Sequence, residues 1–380
     1  MRYFLIAGEA SGDLHASNLM RALKANDSEA EFSFLGGDLM QAVGGKMIRH
    51  YRDMAFMGFV TVLRNLRTVL KNMSDSKDAI VAFKPDVVIL VDYPSFNLRI
   101  AKFVKEQLHL PVIYYIAPKL WAWKEYRIKS IKRYVDKVLT IFPFETEFYR
   151  NHNYEVKYVG NPTVDSVAEI LNREEVFSDF CTENNLQDKP IIALLAGSRR
   201  QEISKCLPVM LESVKQFIPD YQIVISGAPG IETDFYRKFS PNADIPVVFN
   251  KTYPLVYHSK VAIVNSGTAT LETALIGTPQ VVVYYAQPGR LMYILKYIFL
   301  KVKYISLVNL ISEKETVREL IAHLFTPEQV STETDRILHN KEYREQMLAD
   351  YRNIQLKLGK PGTARNAAIY IIDFLKKQKT

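Results

Sequence analysis

The stretch 264–279, VNSGTATLETALIGTP, decides how the chain is read. The apolar run Val261 to Val264 leads into it and has the length of a buried strand. The run Leu271 to Ile276 reads as the start of a helix. Ser266-Gly267-Thr268 therefore lies where a strand hands over to a helix N-terminus. Backbone N–H groups without intrahelical partners and the positive end of the helix dipole meet there, which makes an anion site. Ser and Thr are also good N-caps for structural reasons alone. A capped helix and an anion site both stay open on this stretch.

Working outward, the same handover recurs. Strand candidates are Tyr3–Ala7, Phe32–Leu35, Val87–Val91, Val112–Ile116 and Val138–Phe142. A second set is Ile191–Leu195, Gln222–Ile225, Val247–Phe249, Val261–Val264 and Val281–Tyr284. Strands alternating with helix-period stretches imply parallel sheets with right-handed crossovers. Each set has the form of one Rossmann-like, doubly wound unit. The expected boundary falls near 162–166, giving domains 1–163 and 164–362. The stretch 341–377 is helical in period and is interrupted by Pro361-Gly362, so a last helix of about 363–380 is free to pack back on the first domain. Two such domains facing each other would create a cleft, with ligands beyond the carboxyl ends of the strands.

The chain has 380 residues, 48% of them hydrophobic and 24% charged, so packed cores are expected rather than disorder. Its net charge of +8 suits an anionic partner: a phosphorylated small molecule or a membrane surface. No nucleic-acid-binding motif and no Lys/Arg-rich tail is present, so nucleic acid is not expected. Cys181 and Cys206 form no C-x-x-C, which fits a reducing cytosol. The first residues, MRYFLIAGEASGD, read as a first strand rather than a signal peptide. No apolar run reaches the ~20 residues of a membrane-spanning helix. The seven histidines show no metal-ligand spacing, so no metal and no cofactor is expected.

Four further motifs fall at strand ends. In AGEASGD, residues 7–13, Gly8 and Gly12 allow a tight turn and close ligand approach, and Ser11 or Asp13 can cap the next helix. A plain turn and a binding loop are both open, and the spacing is not that of a dinucleotide fingerprint. In VDYPSFN, residues 91–97, Asp92 stands at the mouth of a parallel sheet. There it is a general-base candidate or a turn-fixing Asp, with Asn97 able to cap the helix that follows. In IAPKLWAWKEYR, residues 116–127, Trp121 and Trp123 lie beside Lys119, Lys124 and Arg127. They read either as a surface for sugar, acyl chains and phosphate or as core packing under a basic face. In LLAGSRRQEI, residues 194–203, Gly197 and Ser198 make a phosphate-friendly turn, Arg199 can contact a diphosphate, and Glu202 can pair with an Arg.

AGSR and SGTAT thus fall at equivalent strand ends of one domain. Together they answer the opening stretch: Gly267, Thr268 and Thr270 sit at a turn that holds a nucleotide diphosphate, and Glu272 accepts hydrogen bonds from ribose hydroxyls. A helix end contributes ~0.3–2 kcal/mol, whereas loss of one preorganised donor at a developing charge costs ~10²–10³ in rate. Arg199 therefore ranks above the helix dipole as the stabiliser of the leaving group. Two segments suggest a membrane surface. In 59–73, Phe59, Leu63, Leu66, Leu70 and Met73 form an apolar stripe beside Arg64, Arg67 and Lys71. The segment 288–304 is apolar nearly all round and carries Arg290, Lys296, Lys301 and Lys303.

AGEASGD, MGFVTVL, VDYPSFN, WAWKEYR, VGNPTVD, AGSRRQEI, SGTATLE and ISLVNLISEKETVREL occur in the order seen in the lipid-A-disaccharide synthases, which the chain resembles over nearly its whole length. The resemblance implies an α/β fold of GT-B type: two Rossmann-like domains, the first on the acceptor side and the second on the UDP-sugar side. It implies an inverting transfer of 2,3-diacylglucosamine from its UDP form to 2,3-diacylglucosamine 1-phosphate. It also implies a cytoplasmic enzyme peripherally associated with the inner membrane, and leaves a homodimer open. Carried over by motif, Asp92 is the base, and Arg199, Glu272 and Asn309 surround UDP. Gly8, Ser11, Gly12, Asp13, Met57 and Gly58 face sugar and acyl groups. Ala196 and Val308 stand where the family commonly has Pro, both backbone-shaping changes. The rival readings are a cell-wall glycosyltransferase or UDP-sugar epimerase of the same fold, and a non-catalytic nucleotide- or lipid-binding protein.

Overall fold

A computed structural model describes residues 1–54, 66–122, 124–172, 175–240, 245–265, 267–285 and 303–379. The chain divides into two units, Met1–Pro162 with Pro361–Thr380, and Thr163–Lys360.

The first unit is built on β1 (Arg2–Ala7), β2 (Glu31–Gly36), β3 (Lys46–His50), β4 (Val87–Val91), β5 (Val112–Tyr115), β6 (Lys137–Thr140) and β7 (Lys157–Tyr158). They form one sheet in the order β3-β2-β1-β4-β5-β6-β7. Every neighbouring pair is parallel, and Ala7 stands opposite Val91 in the central pair. Central strands such as VVILV carry no polar residue because helices cover both faces of a parallel sheet. Tyr3, Leu5 and Ala7 point to one side, where Leu19 and Leu23 of helix Ala10–Asn26 meet Ile371 and Leu375 of helix Thr363–Lys379. Phe4 and Ile6 point to the other, among Ile80, Ile100 and Ile131.

The second unit is built on β8 (Ile191–Leu195), β9 (Gln222–Gly227), β10 (Val247–Phe249), β11 (Ser259–Val264), β12 (Gln280–Tyr284) and β13 (Glu319–Ile321). Their order is β10-β9-β8-β11-β12-β13, again all parallel.

Three strands escape the sequence reading. β3 (KMIRH) and β13 (ELI) are edge strands with polar residues, and β7 is two residues long. Two expected strands are shorter. β5 stops at Tyr115 because Ile116 turns left-handed, φ +57°. β6 stops at Thr140, and Phe142 becomes the residue before helix Pro143–Asn151.

Candidate active site

In each sheet the strand order reverses once, between β1 and β4 and between β8 and β11. Crossovers leave in opposite directions at such a switch point and open a crevice at the carboxyl ends, where ligands of this fold class bind. Gly8 and Asp92 follow β1 and β4, while Ala196 and Asn265 follow β8 and β11.

Asp92 is held in a strained turn. Both Asp92 (φ +44°) and Tyr93 (φ +49°) are left-handed, which costs about 1–3 kcal/mol each for residues other than glycine. The neighbours that impose this are specific. The Asp92 N–H donates to the Ile116 carbonyl at 3.2 Å. Its carbonyl accepts from the Asn97 amide at 2.7 Å and the Tyr114 hydroxyl at 2.5 Å. The Tyr93 hydroxyl donates to the Met54 carbonyl at 2.9 Å. Asn97 therefore clamps the turn from inside helix Pro94–Phe103 rather than capping that helix. Gly8 completes the packing: a Cβ there would lie 2.2 Å from the Tyr93 ring.

A pocket of about 290 Å³ opens at this turn, lined by Asp92, Ile116, Lys119, Arg127, Phe142 and Glu145 among others. Burial, and then the charge of Glu9, pushes the Asp92 carboxyl up to about 6 against the pull of Lys119. Glu9 is close enough for a side-chain hydrogen bond to Asp92. Glu145 is 2% exposed and accepts from Trp121 Nε1 at 3.1 Å and from the N–H groups of Ile141 and Phe142 at 3.2 and 3.1 Å. Burial pushes it up to about 7 even against those three donors. The sequence reading missed both Glu9 and Glu145. Their signals were slight: Glu9 sits inside a glycine motif, and Glu145 follows Pro143 as an ordinary capping residue would. Trp121 packs edge-on to Phe144 behind Glu145, while Trp123 lies outside the described residues.

Gly12 and Asp13 of AGEASGD are buried in the scaffold, whereas Ser11 is exposed. Helix Ala10–Asn26 begins earlier than expected, so Ser11, Gly12 and Asp13 belong to its first turn. Asp13 is 3% exposed and accepts from the N–H groups of Gly37, Leu39 and Met40. It thereby holds the start of helix Asp38–Val43 and has no face toward sugar or acyl groups. Gly12 lets its helix approach Ala7. Ser11 donates to Glu9 at 2.8 Å. Met57 and Gly58 lie outside the described residues.

In the second unit the two anion-type turns are adjacent. Asn265 ties them together: its N–H donates to the Leu195 carbonyl at 2.8 Å and its side-chain amide to the Ala196 carbonyl at 3.0 Å. Gly197 (φ +116°) could carry no side chain, because a Cβ would meet Glu202 and Asn265 at 2.8 and 3.1 Å. Glu202 lies in helix Arg200–Val214 and reaches back into this turn. It accepts from the N–H groups of Ser198 and Arg199 at 3.1 and 3.3 Å and from the Arg199 guanidinium at 2.9 Å. The donors read as phosphate-friendly are thus held by the protein's own carboxylate. Gly267 and Thr268 open helix Gly267–Ile276 and are exposed, while Ser266 lies outside the described residues.

Glu272, in the second turn of that helix, accepts from Tyr253 at 3.0 Å. Burial raises its carboxyl above the usual range.

Two expected ligand contacts, Thr270 from the turn and Asn309 from the resemblance, have buried side chains with internal partners. Thr270 is fully buried and donates to the Gly267 carbonyl at 2.8 Å, so it braces the turn rather than meeting a ligand. Asn309 is fully buried, and all four hydrogen-bonding positions of its side chain are taken. Its amide donates to Val317 and Glu319, and its oxygen accepts from Thr316 and Val317. It shapes the segment 305–319 with every side-chain position bonded internally.

Of the expected apolar stripe, Phe59 and Leu63 lie outside the described residues, as does Arg64. Leu70 is 55% exposed beside exposed Arg67 and Lys71, whereas Met73 is in the core. Arg290, Lys296 and Lys301 also lie outside the described residues. Among the described residues no helix is long and apolar enough to cross a membrane.

Two parallel sheets, each with polar turns at its switch point, define a GT-B-like protein. Solved structures agree on the fold. The UDP-GlcNAc 2-epimerase of Neisseria meningitidis bound to UDP-GlcNAc covers 99% of this chain and 100% of its own at a TM-score of 0.63 and 14% identity. The calicheamicin glycosyltransferase CalG4 covers 99% and 98% at 0.62 and 14%. Sequence goes further: the family profile described as lipid-A-disaccharide synthetase matches residues 3–370, and the chain belongs to that family. The lipid-A-disaccharide synthase of Myxococcus xanthus is 37% identical over 98% of this chain and 97% of its own length. That of Syntrophus aciditrophicus is 35% identical over 98% and 97%.

Proposed function

We propose that the chain joins two acylated glucosamines, passing 2,3-diacylglucosamine from its UDP form to the 6-hydroxyl of 2,3-diacylglucosamine 1-phosphate. Asp92 takes the proton from the acceptor hydroxyl. That oxygen bonds to the donor C1 as the bond from C1 to the UDP oxygen breaks. Attack opposite the leaving group inverts the centre, giving a β-1,6-linked disaccharide 1-phosphate and UDP. The observation that carries this reading is Asp92 itself: a strained, pocket-facing carboxyl at a switch point, pushed up to about 6. Such a group is ionised at neutral pH yet basic enough to accept a proton.

The donor belongs to the second unit in this reading. The diphosphate displaces Glu202 from the Ser198 and Arg199 N–H groups and takes over the Arg199 guanidinium. A charge-assisted bond of this kind is about twice as strong as a neutral one. Gly197, Gly267 and Thr268 border the same anion, and Ser266 belongs to that turn by sequence. Glu272, steadied by Tyr253, receives the ribose hydroxyls. Gly8 lies on the acceptor side in this reading, and the family resemblance alone assigns Met57 and Gly58 to it. Exposed Leu70, Arg67 and Lys71 suit an anionic membrane surface at the cytoplasmic face, where acylated substrates reside.

The test is turnover of acylated against unacylated UDP-glucosamine by the purified protein, with the product linkage read by NMR. The β-1,6-linked disaccharide from the acylated donor is expected. Turnover of the unacylated donor alone, or epimerisation without transfer, overturns the reading.

A further inference from the structure

The Asp92 pocket holds more charge than a general base needs. Lys119 and Arg127 line it, both from the segment that follows β5. Lys119 is exposed, and its ammonium makes no hydrogen bond or salt bridge among the described residues. Arg127 closes a short helical turn, Glu125–Arg127, and donates to the Ser95 hydroxyl at 2.9 Å, with no acidic salt-bridge partner among the described residues. Ser95 lies three residues beyond Asp92, so the guanidinium is pinned near the base.

The segment is preset. Left-handed Ile116 redirects the chain, which is a true outlier for a β-branched residue. The N–H groups of Leu120 and Ala122 donate to the carbonyls of Pro118 and Lys119 at 2.7 and 3.1 Å. Trp121 is anchored on Glu145. The pocket's own acids are Asp92 and Glu145, and Glu145 is already committed to three donors on its own wall. Lys119 feels the charges of Asp92 and Glu145, yet among the described residues neither it nor Arg127 closes a salt bridge. Two such cations in a pocket that also holds the base are suited to an anionic substituent on the molecule whose hydroxyl the base addresses.

We propose that Lys119 and Arg127 form the subsite for the phosphate monoester of the acceptor, holding the sugar by its anomeric end while Asp92 meets the hydroxyl at the other. This rests on the acceptor assigned above. The subsite would make the enzyme favour a phosphorylated acceptor at least tenfold. It would also let the phosphate fix the sugar's direction, so that the 6-hydroxyl is the one presented.

The test compares 2,3-diacylglucosamine 1-phosphate with the same sugar lacking phosphate, in nonionic detergent micelles so that no lipid headgroup competes. Deleting one charge-assisted hydrogen bond to the phosphate lowers binding by about 10- to 150-fold. At pH 8, where Asp92 stays ionised even without the pull of Lys119, Lys119→Ala and Arg127→Ala should each lower kcat/KM for the phosphorylated acceptor at least tenfold and leave the slower unphosphorylated one nearly unchanged. Arg127→Lys should recover part of that decrease, and inhibition by UDP should not move. Equal decreases on both acceptors, or no decrease on either, overturn the subsite. Weakened UDP inhibition with an unchanged acceptor KM would assign these cations to the donor and overturn it too. A wild-type enzyme that turns over neither acceptor removes the reaction itself, and the subsite with it.

Discussion

Glu9→Gln isolates what tunes Asp92, the proposed base. Asp92 stands about two pH units above its ordinary 3.8, at about 6, with burial the first cause and the Glu9 charge the second. At 1.36 kcal/mol per unit, the environment disfavours its ionised form by about 3 kcal/mol. If Asp92 must be ionised to act, kcat/KM falls tenfold per pH unit on the acid side. At pH 5 it should be about a tenth of its plateau. Removing the neighbouring charge favours ionisation, so the acid limb should move down by about one pH unit. Activity at pH 5 should then reach about half of plateau. Initial rates of UDP release from pH 4.5 to 8, at subsaturating acceptor, read this directly. An acid limb unmoved in Glu9→Gln, or moved upward, refutes the coupling of the two carboxyls.

Three further expectations follow from the geometry. Arg199→Ala should weaken UDP binding about tenfold or more, whereas Glu202→Gln should strengthen it about two- to threefold by releasing a largely exposed ion pair; calorimetry with UDP measures both. Gly8→Ala drives a methyl to 2.2 Å from the Tyr93 ring, so kcat should fall at least tenfold with UDP affinity kept. Glu145 binds its proton more tightly folded, at about 7, than at its ordinary 4.5. Its contribution is therefore full below pH 4.5 and is lost as pH rises through 7, by about 3 kcal/mol. Urea midpoints from pH 4.5 to 8 should show that decline in the wild type and a flatter course in Glu145→Gln.

Most central strands were legible because a parallel sheet buried on both faces needs unbroken apolar runs such as Val87–Val91 and Ile191–Leu195. Edge strands β3 and β13 were not, since one open side tolerates Lys46, Arg49 and Glu319. Within the site, positions dictated by a strand end were readable: Asp92, Gly197 and Arg199 all follow one. Partners reached through tertiary packing were hidden. Nothing local marks Asp13 as the brace of a helix 25 residues on, its first donor being the Gly37 N–H. Asn309 is a polar residue inside a motif, and only its four hydrogen bonds reveal a scaffold role. Glu145, which drew no reading from the sequence, caps helix Pro143–Asn151, and its burial places a second high-pKa carboxyl in the Asp92 pocket.

The proposal as a whole stands on one carboxylate, and Asp92→Asn tests it with the least change of shape. Loss of a general base typically removes ~10²–10⁴ in rate. Turnover of the acylated donor and acceptor should drop by that order while the dissociation constant for UDP stays within about twofold. Turnover close to wild type, or a decrease explained by failure to bind UDP, would contradict the account.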